Sequence, residues 1–158
     1  MKKISVLLCV LILSSCEYFN VKKTSSEAIL KEELQTFNWN EVDAYPSFSD
    51  CDSSLTKLAG KLCFERVLRR HIMTSLQQEI IIVTQDIRDT IYLEFLLSEK
   101  GDLTLQKVEV DSLTVAEIPS IKELLNNSLD SLPKIFPATK RGQQVKTEFK
   151  LPIIINVK

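Results

Sequence analysis

The order of apolar and polar positions divides the chain into distinct stretches. Residues 4–13 are an apolar run broken only by Ser5, behind Lys2 and Lys3. Further on, Leu30, Leu34 and Phe37 recur at helical spacing. They follow Thr24-Ser25-Ser26-Glu27, a capping box in which the threonine caps and the glutamate reaches back. Asn38-Trp39-Asn40 ends this short helix, and Trp39 is expected to pack on the domain, with a place near lipid headgroups as the alternative. Residues 41–51 hold Tyr45-Pro46-Ser47-Phe48 and show no clear period. A helix is expected to begin near Leu55, break at Gly60 and run from 62 to 76. Phe64, Val67, Leu68, Ile72 and Leu76 form its buried stripe.

β-type patterning follows. Residues 80–83 are a β-branched run and predict a short strand. Ile91, Leu93, Phe95 and Leu97 then alternate with Tyr92, Glu94, Leu96 and Ser98. Ser98-Glu99-Lys100-Gly101 supplies a turn, and a return strand runs from about 103 to 110. Its inward parity changes between Leu105 and Val108, which predicts a bulge near Gln106 or Lys107. Pro119 suits the first position of a second helix. Ile121, Leu124, Leu125, Leu129 and Leu132 would be that helix's buried stripe, with Pro133 and Pro137 stopping it. Residues 145–157 are the strongest strand signal. Their odd positions are apolar or threonine, while Lys146, Glu148 and Lys150 take the other face. Val145, Phe149, Leu151, Ile153, Ile155 and Val157 are expected to face a core containing Ile91, Leu93 and Phe95. Pro152 marks an edge or a bulge, because it has no amide to donate. The sum is an α+β domain, a small antiparallel sheet with two helices packed on one face.

Composition narrows the chemistry. The chain has 158 residues and a formal charge of −1, which suits one domain and argues against nucleic-acid binding. Its three glycines are too scattered for a phosphate-cradling loop, and its one histidine, His71, excludes a multi-histidine metal site. Neither a cofactor nor a metal is expected. A Ser-His-Asp site would have to use His71, beside Arg69 and Arg70, which disfavour the imidazolium. Arg66, Arg69 and Arg70 are a candidate anion-binding set, with a solvated helix face as the alternative. Glu65 is placed to pair with Arg69.

Lys2 and Lys3, the short apolar run and Leu13-Ser14-Ser15-Cys16 together resemble the signal peptide and lipobox of bacterial lipoproteins. The resemblance implies removal of residues 1–15 and acylation of Cys16, which would tie the chain to a membrane. No aspartate follows Cys16, which by resemblance to known sorting patterns favours the outer membrane with the domain facing the periplasm; the cell surface is the alternative. Cys51 and Cys63 then remain in an oxidising compartment, where a disulfide between them is expected and two free thiols are the alternative. A metal shared by Cys63 and His71 is excluded by their separation of about 12 Å along one helix.

The order helix, hairpin, helix, strand resembles the C-terminal domain of TonB energy transducers. Leu132-Pro133, Phe136-Pro137-Ala138, residues 140–145 and residues 149–155 carry the likeness near the end of the chain. Residues 92–97 with Lys100-Gly101-Asp102-Leu103 are similar to that family's central hairpin. Tyr45-Pro46-Ser47-Phe48, Cys51 and Cys63-Phe64 are similar to a lead-in segment of one branch. The likeness covers roughly residues 42–158, leaving 16–41 as a lipid-anchored tether. The transducers' membrane-spanning helix and proline-rich segment have no counterpart here, and residues 80–83 replace a helical Tyr-Pro segment. A flexible tether of residues 17–41 spans roughly 25–30 Å, too short to link two membranes. The resemblance implies a non-enzymatic module that recognises an extended peptide of an envelope protein by strand addition to a sheet edge. Lys140, Arg141, Lys146 and Lys150 are the candidate partner-binding residues. A purely structural envelope lipoprotein or accessory subunit is the alternative, and a hydrolytic enzyme ranks behind both.

Overall fold

The last eleven-residue strand organises the molecule. A computed structural model describes residues 37–38, 41–52 and 56–158, all within one compact unit, Leu34–Lys158. The expected signal peptide, the acylated Cys16, the capping box and Trp39 lie outside the described residues. Strand β3 (Ile87–Leu97) pairs antiparallel with β8 (Thr147–Val157) along its whole length, Ile87 opposite Val157 and Leu97 opposite Thr147. Successive side chains of a strand point to opposite faces. One face of this pair buries Ile91, Leu93, Phe95 and Leu97 with Thr147, Phe149, Leu151, Ile153 and Ile155. Phe149 stands opposite Phe95, Leu151 opposite Leu93 and Ile153 opposite Ile91, as the period-two pattern predicts. Val145 departs from the expectation. It precedes β8 and is buried with Val42 and Ala138 in a separate small cluster.

Strand β4 (Leu103–Glu109) returns antiparallel to β3 through the turn at Gly101, whose φ of 94° suits a residue without a Cβ. Phe95 faces Leu105 but Glu94 faces Lys107, so Gln106 is the extra residue of the bulge. The two-residue strand β1 (Phe37–Asn38) lies parallel to the start of β8. Phe37 is therefore extended rather than the end of a helix. The sheet order is β1-β8-β3-β4.

Helix α1 (Lys57–Gln78) covers the buried face through Phe64, Leu68, Ile72 and Leu76. It starts at Thr56, whose hydroxyl caps the Ala59 amide. The expected break at Gly60 does not occur. The Gly60 amide bonds to the Thr56 carbonyl at 2.8 Å, and the helix runs on. Glycine in a helix costs only about 1 kcal/mol. The cap and the Cys51–Cys63 pair hold this turn in place, the two sulfurs lying 2.06 Å apart, at disulfide distance. Closing a loop of that length restricts the unfolded chain by about 3 kcal/mol in the chain-entropy account. Four phenylalanines then join the layers. Phe48 of β2 (Ser47–Phe48) stacks on Phe64 at 5.1 Å, Phe64 meets Phe149 edge-on at 5.7 Å, and Phe149 lies 5.3 Å from Phe95.

Two expected elements take other forms. Residues 80–83 form no strand and pair with none among the described residues. Ile80 and Ile82 are 91% and 83% exposed, while Ile81 and Val83 lean on the core. The Glu117 carboxylate anchors the segment's end, accepting from the Thr84 amide at 2.8 Å and from the Thr84 hydroxyl and Gln85 amide nitrogen. The expected second helix is two: α2 (Ser112–Glu117) and α3 (Ile121–Asn127), with Pro119 in the turn between them. Asp111 caps α2 by accepting from the Leu113 amide. The α3 helix stops before Leu129 and Leu132. Ser128 donates its hydroxyl to the Leu125 carbonyl at 2.6 Å, and the run Asn126-Asn127-Ser128 favours turns over helix. The described residues are thus α+β, with an antiparallel core sheet and three helices rather than two. Short pairs complete it: β2 with β5 (Ile135–Phe136), and β6 (Thr139–Lys140) with β7 (Gln143–Gln144).

Parity along β8 gives a sharp expectation. Phe149→Ala opens a cavity among Phe64 and Phe95 and costs about 3–5 kcal/mol. Lys150→Ala, on the open face, leaves the urea midpoint nearly unchanged. Similar losses in the two variants would show that the strand is out of register. A second expectation concerns Thr147, whose hydroxyl is fully buried with no hydrogen-bond partner. Thr147→Val keeps the shape and removes the stranded group, so it raises unfolding stability by about 1 kcal/mol in the same assay.

Candidate binding edge

A strand's N–H and C=O groups alternate sides as its side chains do. In β8, Pro152 has no amide, and its carbonyl accepts from Arg69 Nε of α1 at 3.1 Å. Its polar groups therefore point away from β3. By alternation, those of Lys150, Ile154 and Asn156 point the same way. β1 pairs only with Thr147 and Glu148. Beyond Glu148, the outer edge of β8 has no strand partner among the described residues. Three donors, at Lys150, Ile154 and Asn156, thus face outward along a strand whose opposite side is locked in the sheet.

The surroundings of this edge are amphipathic. Arg69, Met73, Thr90, Pro152 and Ile154 line a shallow hollow beside it, and Ile154 is 71% exposed. A second groove continues from Met73 past Leu76, Ile81 and Ile155 to Val157. Apolar walls thus run beside an open row of backbone donors. Among the described residues, Arg69 is the one cation set into this row. It binds Pro152 rather than the expected Glu65, because Glu65 lies 4.0 Å from Lys61.

The candidate partner-binding residues do not converge. Lys140, in β6, lies 3.5 Å from Glu41. Arg141 turns the β6–β7 connection at a φ of 51°, and its amide donates to Asp43 Oδ2 at 2.6 Å. Both are tied to the lead-in segment. Lys146 is half-buried just before β8. Lys150 lies on the open sheet face in a cross-strand cluster. Its ammonium donates to Glu109, sits 3.6 Å from Glu94 and lies 4.8 Å from the Tyr92 ring centre. Lys107 completes the cluster, 2.7 Å from Glu109 and 3.7 Å from Glu94. Hydrogen bonds from Lys107 and then Lys150 pull the Glu109 carboxyl from the ordinary 4.5 to about 2. The Glu109 hydrogen bonds raise both lysines.

The candidate anion set is also divided. Arg69 faces the β8 edge, whereas Arg66 and Arg70 are exposed on the outer side of α1. His71 Nε2 lies 3.2 Å from the hydroxyl of the exposed Ser131, and no carboxylate among the described residues takes its other nitrogen. No group of three or more His, Cys, Asp or Glu among the described residues could hold a metal. No described helix is long and apolar enough to cross a membrane. Sequence reasoning missed the role of Arg69 and the Glu94–Glu109 side of the sheet. Pro152 signalled the first, since a proline carbonyl on an edge strand still needs a donor. The pairing of β3 with β4 carried the second. No family model, no curated protein and no solved structure matches this chain.

The charge cluster sets a pH expectation. A carboxyl held below its ordinary value stabilises the fold above about pH 4.5, and that contribution disappears as the pH falls towards 2. Wild type therefore loses thermal stability across that window more steeply than Glu109→Gln. The gap narrows in high salt, because the cluster is on the surface. Parallel melting curves for the two proteins between pH 2 and pH 5 would contradict the assignment.

Proposed function

We propose that this chain is a non-enzymatic peptide-binding module that adds an extended segment of an envelope protein to the open edge of β8. One observation carries the reading: a long strand locked to β3 on one side and, among the described residues, open on the other beyond Glu148, with apolar walls beside it. In strand addition the main chain supplies affinity and pockets for alternate side chains supply selectivity. Pro152 withholds one donor and Arg69 takes the matching carbonyl, so the edge engages a guest on both sides of this point. That interruption also limits unwanted pairing between copies.

The order of helix, hairpin, short helices and final strand is in keeping with a TonB C-terminal-like domain without the transducer's membrane helix. The lipobox-like start favours anchoring through acyl chains on Cys16, at the outer membrane and facing the periplasm. A tether over 16–41 would then carry the domain over 42–158. Against an enzyme stands His71, whose ring no carboxylate among the described residues orients.

Hydrogen exchange tests the reading. Peptides selected from an extended-sequence library are expected to slow exchange at the amides of Lys150, Ile154 and Asn156. Ile154→Pro removes one outward donor and is expected to weaken those peptides at least about tenfold, the effect of roughly 1.4 kcal/mol, without moving the thermal midpoint far. Binders that leave the three amides unprotected, or that ignore Ile154→Pro, would sink the proposal.

A further inference from the structure

The outer side of α1 carries a ridge unrelated to the β8 edge. Leu58, Leu62, Arg66 and Arg70 are spaced four apart, so they stand one above another on the same helix face. All four are exposed, the leucines at 66% and 56%. The core stripe of α1 is already filled by Phe64, Leu68, Ile72 and Leu76, so the leucines contribute nothing to the interior. Charge is concentrated on this helix as well. Lys57, Lys61, Arg66, Arg69 and Arg70 face one carboxylate, Glu65, in a chain whose formal charge is −1. Lys57 donates to the Val42 carbonyl, Lys61 has Glu65, and Arg69 has Pro152. Arg66 and Arg70 make no ion pair among the described residues. The open sheet face is the opposite case, where Lys107 and Lys150 are matched by Glu94 and Glu109.

We infer that the ridge of Leu58, Leu62, Arg66 and Arg70 docks α1 lengthwise on an anionic lipid surface. Apolar side chains of a surface-lying helix enter the boundary between headgroups and acyl chains, and basic ones meet the phosphates. A guanidinium suits this place, because its planar fork binds a phosphate through two hydrogen bonds. An acidic peptide would satisfy the arginines and leave the leucines in water. An apolar protein groove would cover the leucines and strand the arginines. A lipid boundary answers both along one line. The inference does not rest on the peptide-binding reading, since the ridge includes no residue of the edge.

The test uses the full chain with Trp39→Phe, its only native tryptophan, and Leu62→Trp as the single indole. The protein is reconstituted in phosphatidylcholine vesicles with or without phosphatidylglycerol, each containing brominated acyl chains. Bromine is expected to quench the indole in the anionic vesicles, weakly in the neutral ones, and less as salt is added. Arg66→Gln with Arg70→Gln is expected to lower the docked-to-free ratio on the order of thirtyfold, the loss for two cations at an anionic surface. Arg66→Lys with Arg70→Lys retains most of the docking. If Leu62→Trp fails to fold, Leu58→Trp reports from the same ridge one turn away. Equal quenching in both vesicle types, no quenching in either, or indifference to the glutamine pair overturns the proposal. A shift caused by soluble polyglutamate but not by anionic vesicles also overturns it, and assigns the ridge to an acidic protein.

Discussion

The ladder between β3 and β8 is the constraint on which the rest of the structure depends. Its register decides which side chains reach the interior, and a slip of one residue would exchange Phe149, Leu151 and Ile153 for Lys150, Pro152 and Ile154. Phe149 makes that register costly to change. It meets Phe64 from the helix layer and Phe95 from its own sheet, and Phe64 passes the contact to Phe48 in the lead-in segment. The sulfurs of Cys51 and Cys63 tie the same lead-in to the same helix. One aromatic column and one covalent tie thus connect elements far apart in sequence.

That rigidity gives the open side of β8 its character. A strand held by eleven partners cannot twist away from solvent, so its outward groups stay aligned. Alignment suits capture of an extended guest and also invites aggregation. The chain moderates the second effect with a proline, an arginine from the helix and a charged neighbour on the open face. The cluster of Lys107, Lys150, Glu94 and Glu109 lies across the three long strands and is neutral as a unit. Mutual pairing draws those lysines away from the role of free cations.

Much of this was legible in the residues. Period two sustained over residues 147–157 leaves only one way to face the core, and the parity change after Leu105 announces the bulge at Gln106. The cysteine pairing agreed with its short separation. Other features depend on contacts that local pattern does not carry. Gly60 looked like a break because its propensity is poor, but the Thr56 cap and tertiary packing outweigh a cost of about 1 kcal/mol. Residues 80–83 have strand propensity, yet a strand needs a paired neighbour, and none among the described residues pairs with them. Pro119 fits a first helical turn equally well as a connection, and here it connects. The open edge was visible only in part. Pro152 pointed to it, while the strand order that leaves it uncovered is a matter of topology. Lys150 appeared available because both of its carboxylate partners come from other strands.

The position of β8 in the sequence has a consequence for the order of events during synthesis. Its residues come after every other element, yet it lies between β1 and β3 in the sheet. Ile87 cannot find its partner until Val157 has been made, and Phe37 waits for Thr147. Chains grow and emerge from the N-terminal end. A partly made chain would therefore carry α1 and the β3–β4 hairpin without the apolar partners that β8 supplies, Phe149, Leu151 and Ile153 among them. Pairings this distant in sequence also form slowly. The core sheet therefore stays incomplete until residues 147–157 have been made.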